Sequence, residues 1–423
     1  MGLADDTIRV MFKTTPVKIF LTILGLVLIA GILYWLPPIN RRLSWRVELA
    51  ESYLRGVVNP VKALPTSLPQ PRVVVTSRPT ETQVSVATMI PTSGPTPTAT
   101  PSPTPLPQSV NLTAPTWEKQ EPNNCGPATL TMYLRYYGWE GNQTDIADLL
   151  KPIRQDRNVN VEEIIYYART RAGWLNVEYR VGGDLQMLKR LIAAGIPVMI
   201  EESFHFEETY WPNDDHWAAH YNLLTGYDEI TKTFTSQDSF YGANQVVSYD
   251  RTEEYWKSFN YVYIILFPPA QEGTVREILG EDWDVDINRQ NALQKALEQT
   301  RDDPQDAFAW FNLGTNYVYF ERYAEAAVAY DQARAIGLPQ RMLRYQFGPF
   351  FAYFNTGRME DLHALLDYAL DLTPNAEEAL LWRGWAYYRE GDIRQAETNF
   401  RQALLENPNY QDAQLALDIL HNN

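Results

Sequence analysis

Residues 120–138 read QEPNNCGPATLTMYLRYYG, and this stretch holds the only cysteine of the 423-residue chain. After Cys125 the residues Leu130, Leu134 and Tyr137 recur at helical spacing and Gly138 closes the run, which predicts an amphipathic helix opening at Cys125. Asn124 is of a type that caps helix N-termini, and Pro127 suits a first turn, where no backbone donor is required. A thiol at that end of a helix faces the positive pole of the macrodipole, which favours thiolate over thiol. Cys125 is therefore a candidate nucleophile, and the rest of the chain can be searched for what would serve it.

A base is sought among five histidines, His205, His216, His220, His363 and His421, of which the last two fall in a helical C-terminal region. From His220 the chain runs HYNLLTGYDEITKTFTSQDS, two strand-like segments joined by a short turn near residues 228–230. A hairpin centred near Glu229 pairs residues whose numbers sum to about 458, which sets His220 opposite Asp238. A carboxylate there can fix the imidazole tautomer and stabilise imidazolium. The same register sets His216 opposite Gly242, which offers no acid, so His216 is the second choice. Asp228 lies roughly 25 Å along the strand from His220 at ~3.3 Å per residue, too far to be the third member. Glu201, Glu202, Asp214, Asp215 and His216 invite a metal-site reading, but His216 and His220 fall on a strand, and no helical ligand spacing supports it. Neither a metal nor a cofactor is called for.

Gln120, five positions before the thiol, and the run Cys-Gly-Pro-Ala resemble the papain-like cysteine peptidases of the bacteriocin-processing group, peptidase family 39. The resemblance covers roughly residues 115–269. It implies that Cys125 attacks the scissile carbonyl and that the Gln120 side chain helps to form the oxyanion hole. A histidine that opens a strand running into Gly-Tyr-Asp, followed by an acid on the next strand, belongs to the same pattern; His220, Gly226, Tyr227 and Asp238 match it. The family's best-known members are fused to exporter ATPases and cut after double-glycine leaders, whereas this chain contains no phosphate-binding Gly-Lys-Ser/Thr loop.

Around this region the chain divides by composition. Residues 1–18 form a short tail, and residues 19–36, IFLTILGLVLIAGILYWL, are an uncharged apolar run of spanning length with Tyr34 and Trp35 at one end. Pro37, Pro38, Arg41 and Arg42 follow in place of a small-residue cleavage site, which predicts a retained single transmembrane helix and not a signal peptide. Arg9, Lys13 and Lys18 before the run and Arg41, Arg42, Arg46 and Arg55 after it leave orientation unsettled by charge. Residues 37–114 form a juxtamembrane segment and linker whose stretch 91–107, PTSGPTPTATPSPTPLP, has the makings of a stiff polyproline II spacer. Such a stalk places the soluble bulk on the extracytoplasmic side of the cell membrane.

Helix signals at 143–150, 160–171 and 184–194 and strand signals at 196–200, 217–225, 233–239 and 261–267 predict an α+β domain over 115–269, as the papain-like resemblance also implies. Residues 270–302 supply a connecting helix, read at 287–299. In 303–423, Trp310, Leu313, Gly314, Tyr317, Ala326, Tyr330 and Ala333 fall at the spacing of a tetratricopeptide repeat, and Leu380, Gly384, Tyr387, Ala396, Phe400, Ala403 and Pro408 repeat it. Gly314, Gly348 and Gly384 recur at intervals of 34 and 36, so a third, poorer copy lies between, and 411–421 reads as a capping helix. Three repeats and a cap meet the minimum for an independently stable all-α solenoid.

The sequence thus predicts a membrane-tethered papain-like cysteine peptidase with repeats that recruit a peptide substrate or a protein partner. Two other readings stay open. One is a catalytically silent binding protein on a peptidase fold, and the other is a thiol hydrolase or acyltransferase of different substrate, such as a cell-wall peptide amidase or a transglutaminase-like enzyme. A net charge of −16, from 52 acidic and 36 basic residues, argues against nucleic acid as the main partner. One cysteine excludes an internal disulfide, so cysteine usage is silent on redox compartment.

Overall fold

The structure, a computed structural model, describes residues 19–20, 22–34, 36–69, 105–154 and 156–422. Among them, 19–20 and 22–34 are helical, but no helix is long and apolar enough to cross a membrane. The tail 1–18 and most of the Pro/Thr/Ser stretch lie outside the described residues. The chain forms two compact units, one of residues 1–62 with 205–216 and one of 63–204 with 217–423.

In the first unit, helix α1 (Pro37–Val58) occupies what the composition reads as linker. Its Trp45 meets Tyr210 edge to face at 5.3 Å. A Cβ on Gly56 would come within 2.5 Å of the Trp211 Cβ, so only glycine lets helix and loop approach this closely.

The second unit is built on a sheet of strand order β2-β7-β3-β4-β5-β6, with β1 added against β4. The strands are β1 (Ser109–Asn111), β2 (Asn176–Arg180), β3 (Val198–His205), β4 (Trp217–Asp228), β5 (Thr233–Asp238), β6 (Gly242–Ser248) and β7 (Tyr263–Phe267). Every strand pair whose register is resolved is antiparallel. Helices α2 (Cys125–Tyr136), α3 (Gln143–Leu150), α4 (Val161–Arg171) and α5 (Leu185–Ala193) precede the central strands, which makes the region α+β. Asn160 and Glu163 form a capping box at the start of α4, and the Asp184 carboxylate caps α5, accepting from Met187 N at 2.7 Å. Strands β1, β2 and β6 escape the sequence reading because they are short, and the half-exposed β6 lacks an apolar alternation.

Helix α2 departs from the amphipathic expectation. Residues 126–134 are all buried, as befits a helix enclosed between a sheet and other helices rather than lying on a surface. Tyr133 and Tyr137 tie it to β7: Leu266 N donates to the Tyr133 hydroxyl at 2.8 Å, and the Tyr137 hydroxyl donates to Leu266 O at 2.7 Å.

Beyond β7, α6 (Tyr249–Trp256) having come before it, the chain continues through α7 (Glu272–Leu279) and α8 (Val285–Asp302). Three helical hairpins follow: α9 (Ala307–Tyr319) with α10 (Tyr323–Ile336), α11 (Gly348–Asn355) with α12 (Met359–Leu372), and α13 (Glu377–Glu390) with α14 (Ile393–Glu406). Helix α15 (Gln411–Asn422) closes the stack. A Cβ on Gly314 would meet the Tyr330 ring at 2.7 Å, one on Gly348 the Tyr330 hydroxyl, and one on Gly384 the Phe400 ring at 2.4 Å. The repeating glycine is therefore dictated by an aromatic ring packed on its helix.

The repeats and the α+β region share one continuous core, which runs from Leu130 and Ile264 through Phe311 and Tyr353 to Leu417. Trp217 at the start of β4 stacks on Phe259 (5.8 Å, 8° between planes) and on Phe308 of α9 (6.4 Å), and its carbonyl accepts from Arg341 Nη1 at 3.1 Å. Asn260 and Asn316 exchange amide hydrogen bonds of 2.9 and 3.2 Å in a buried position. Asn407 and Asn409, after α14, reach the carbonyls of Leu150 and Leu149 at the end of α3. Leu68 N donates to Asp361 Oδ1 at 3.0 Å and Arg334 Nε to Pro65 O at 2.7 Å, so the segment after α1 also docks on the repeats.

Candidate active site

Cys125 occupies the first position of α2, half-buried, at the end of a tight loop. Asn124 stands at the cap position, but its side chain does not cap; Nδ2 donates to Gln143 Oε1 at 2.7 Å. Gln143 also accepts from Glu121 N at 2.8 Å and donates to Lys119 O at 2.7 Å, so a single buried amide pins three points of the loop. Beneath it Lys151, itself buried, donates to Asn123 O at 2.7 Å and Asp156 O at 2.6 Å. Asn123 has φ +57°, a left-handed turn that asparagine tolerates. This lattice places the thiol at the helix end, where the first-turn amides have no intrahelical acceptor.

The observed ladder differs from the expected hairpin. The strands connect through Glu229–Lys232 instead of turning at Glu229, and Asp228 Oδ1 accepts from Ile230 N and Thr231 N at 2.7 and 3.0 Å. Pairing runs Asp228 with Thr233, shifts at an irregularity between Leu224 and Gly226, and continues as Leu223 with Gln237. Continuing that ladder sets Asn222, not His220, across from Asp238. His220 still reaches the acid, because residues two apart on a strand share a face and diagonal neighbours lie within side-chain reach. His220 Nε2 stands 3.1 Å from Asp238 Oδ1, and both residues are buried, at 3% and 5% exposure. Phe240 N and Tyr241 N also donate to Asp238 Oδ1, at 2.7 and 3.0 Å.

The Cys125 thiol lies within the electrostatic reach of the His220 side chain and the Tyr221 backbone amide. Burial pushes the thiol pKa up, but the bond to His220, its charge, the Tyr221 amide and the Lys151 charge together hold it below the ordinary thiol value. Burial by itself pulls the His220 imidazole down, yet the Asp238 carboxylate and the Cys125 thiolate outweigh it and raise the imidazole to about 10. Asp238, against its own burial, is held below the usual carboxylate range, chiefly by His220. The three directions all favour the charged form, thiolate, imidazolium and carboxylate in turn. Phe204 lies against the imidazole with ring centres 5.0 Å apart.

Gln120 is anchored on the residue after the acid. Its backbone N donates to Ser239 O at 2.9 Å, and its Oε1 accepts from Ser239 Oγ at 2.8 Å. Gln120 is thus tied to the residue next to Asp238. Ser239, Gln143, Lys151 and Trp117, whose indole donates to Asp238 O at 2.8 Å, are absent from the sequence reading. Only Lys151 carries a local signal, as a charged side chain between Leu149–Leu150 and Pro152–Ile153.

The other acids do other work. Glu202 accepts from Asn222 Nδ2 at 3.0 Å, and Asn222 in turn bonds Ser236. Glu201 is lifted well above the carboxylate range, first by burial and then by the Cys125 charge. His216 belongs to the other compact unit, with Nδ1 2.7 Å from Phe206 O and Nε2 3.3 Å from Thr209 Oγ1. Among the described residues no group of three or more His, Cys, Asp or Glu side chains is disposed to hold a metal ion.

Cys125 at a helix N-terminus and His220 on an antiparallel sheet are thus brought together in an α+β region. Residues 109–264 match the Peptidase_C39 like family, and residues 377–410 match the tetratricopeptide repeat. Solved structures similar to this chain include the following three. One, from Bacillus anthracis and described as a C39-like peptidase, is 17% identical over 38% of this chain and 98% of its own, with a TM-score of 0.31. The peptidase domain of Streptococcus ComA, a bi-functional ABC transporter involved in a quorum-sensing pathway, is 15% identical over 37% and 99%, with a TM-score of 0.29. Xylellain, a cysteine protease from Xylella fastidiosa, is 13% identical over 39% and 87%, with a TM-score of 0.30. No curated protein matches the chain.

Proposed function

We propose that this protein is a cysteine peptidase that cleaves peptide bonds with Cys125 as nucleophile, His220 as acid and base, Asp238 as orienting carboxylate and Gln120 as oxyanion donor. The observation that carries the reading is the buried His220–Asp238 pair, 3.1 Å apart, set beside the Cys125 thiol so that each charge favours the next. The thiolate attacks the scissile carbonyl carbon, and the carbonyl π pair moves onto oxygen. That oxyanion is received by Gln120 Nε2–H and the Cys125 amide, both of which are donors. Collapse breaks the C–N bond while imidazolium protonates the leaving amine. Neutral His220 then takes a proton from water, hydroxide attacks the thioester, and the acid product leaves as the thiol is restored. Asp238 keeps Nε2 protonated throughout, so that Nδ1 serves the sulfur.

In this reading the apolar run 19–36 anchors the chain in a membrane with the soluble parts outside the cytoplasm, and the repeats offer surface to a peptide or protein partner. Carbonate extraction of membranes tests the anchor: release of the full chain into the soluble fraction contradicts it. The peptidase reading is tested with a quenched-fluorescent peptide library and the full-length protein. Hydrolysis lost in Cys125→Ala, with the thermal midpoint within a few degrees of the parent, is the expected result. A library left uncut by the parent, or cut equally by the variant, refutes it.

A further inference from the structure

Ser239 follows Asp238 directly, and its surroundings give it a task that its sequence position does not announce. The residue is completely buried, at 0% exposure. Its carbonyl accepts from Gln120 N at 2.9 Å, and its Oγ donates to Gln120 Oε1 at 2.8 Å. One residue earlier, the Asp238 carbonyl accepts from Trp117 Nε1 at 2.8 Å. Three hydrogen bonds therefore lay the segment 117–120 on the turn 238–239, so the element that supplies the acid also carries the oxyanion donor.

A glutamine amide has two faces of opposite electrostatic sense, and only one is of use at an oxyanion. Nε2–H stabilises the developing charge, whereas Oε1 in its place repels it. Among the described residues Ser239 Oγ has one side-chain hydrogen-bond partner, Gln120 Oε1. If the amide turned over, the buried hydroxyl proton would lose its acceptor, and such loss is opposed strongly in a dry site. We infer that Ser239 is a positioning residue that fixes the amide sense of Gln120, so that Nε2–H faces the reacting carbonyl. This rests on the peptidase reading above.

The test separates attack on a carbonyl, which generates an oxyanion, from alkylation, which does not. The full-length protein and the variants Ser239→Ala, Ser239→Thr, Gln120→Ala and the double variant Ser239→Ala/Gln120→Ala are acylated with a peptidyl p-nitrophenyl ester. In parallel they are alkylated with iodoacetamide across pH. Ser239→Ala is expected to acylate ~10- to 100-fold more slowly, since a misdirected donor forfeits much of an oxyanion contact. Its alkylation rate and pH midpoint stay those of the parent, because His220, Asp238 and Lys151 are untouched. Ser239→Thr, which keeps the hydroxyl, restores acylation, and Ser239→Ala adds no further loss on the Gln120→Ala background.

Acylation by Ser239→Ala at the parent's rate overturns the inference while leaving the peptidase reading intact. A loss of alkylation in step with acylation, or full additivity with Gln120→Ala, also overturns it by making Ser239 merely structural. A parent that alkylates normally but acylates no faster than Cys125→Ala removes the peptidase reading itself, and the inference with it.

Discussion

Asp238→Asn tests the electrostatics of the site most directly. The substitution is nearly isosteric, and its remaining carbonyl oxygen can still accept from Phe240 N and Tyr241 N, so the turn that presents the side chain is kept. What disappears is a negative charge 3.1 Å from His220 Nε2 in a buried position. That charge is the largest of the influences that raise the imidazole to about 10, while burial pulls the other way. An opposite charge at such range moves a pKa by ~1–3 units, or about 1.4–4 kcal/mol of preference for the charged form. The sign follows from the two directions. A raised imidazole contributes stability below its unfolded value, and loses it as pH rises through about 10; the lowered thiol contributes above its unfolded value, and loses it as pH falls through the folded one. The ion pair therefore persists between the lowered thiol value and about 10, and Asp238→Asn closes that window from the alkaline side. In a pH profile of kcat/KM for a fluorogenic peptide, the alkaline limb should move ~1–3 pH units toward acid, because the leaving amine needs imidazolium. The acid limb should move up as well, because His220 loses part of the charge that holds the thiolate. An alkaline limb unchanged in Asp238→Asn would refute the role assigned to the carboxylate.

Gln120→Ala should lower turnover ~100- to 1,000-fold, about 3–4 kcal/mol, with KM little changed; a loss confined to KM would make Gln120 a pocket residue. His220→Ala should abolish hydrolysis and return iodoacetamide reactivity toward an ordinary thiol profile, whereas His216→Ala should keep most of both, since its ring is engaged with Phe206 and Thr209. Equal losses in the two variants would contradict the choice of base. Deletion of 303–423 should leave a fragment with a broad thermal transition and exposed apolar surface, read by dye binding; a sharp cooperative transition with intact low-pH alkylation would show that the repeats are dispensable.

The site was legible where local rules govern. Cys125 at a helix start and the helix signals at 160–171 and 184–194 are short-range patterns, and the structure contains those helices. The hairpin linking His220 to Asp238 was legible in kind but not in register. A four-residue connection and a shift near Thr225 displace the ladder, and neither has a strong sequence mark, because Asp228 and Lys232 support the turn without the usual Asn-Gly pair. The diagonal reach of a side chain absorbed the error. Ser239, Gln143 and Lys151 were not legible, since each acts on a residue distant in sequence. The span 19–36 rests on hydropathy alone.

The repeats were legible as repeats, because Gly314, Gly348 and Gly384 mark ring-against-helix contacts that lie within a repeat or between neighbouring ones. What they pack against was not, since nothing in a repeat signature says which face is left free. Arg341, buried between helical hairpins, spends a hydrogen bond on the carbonyl of Trp217, three residues before His220 on the same strand. Asn407 accepts the task of joining the carbonyl of Leu150 to Glu377 at the start of α13, and the next residue after Leu150 is the Lys151 that supports the turn before Cys125. The loop before Cys125 and the strand that carries His220 each lean on the repeat stack through side chains that the repeat pattern itself does not specify.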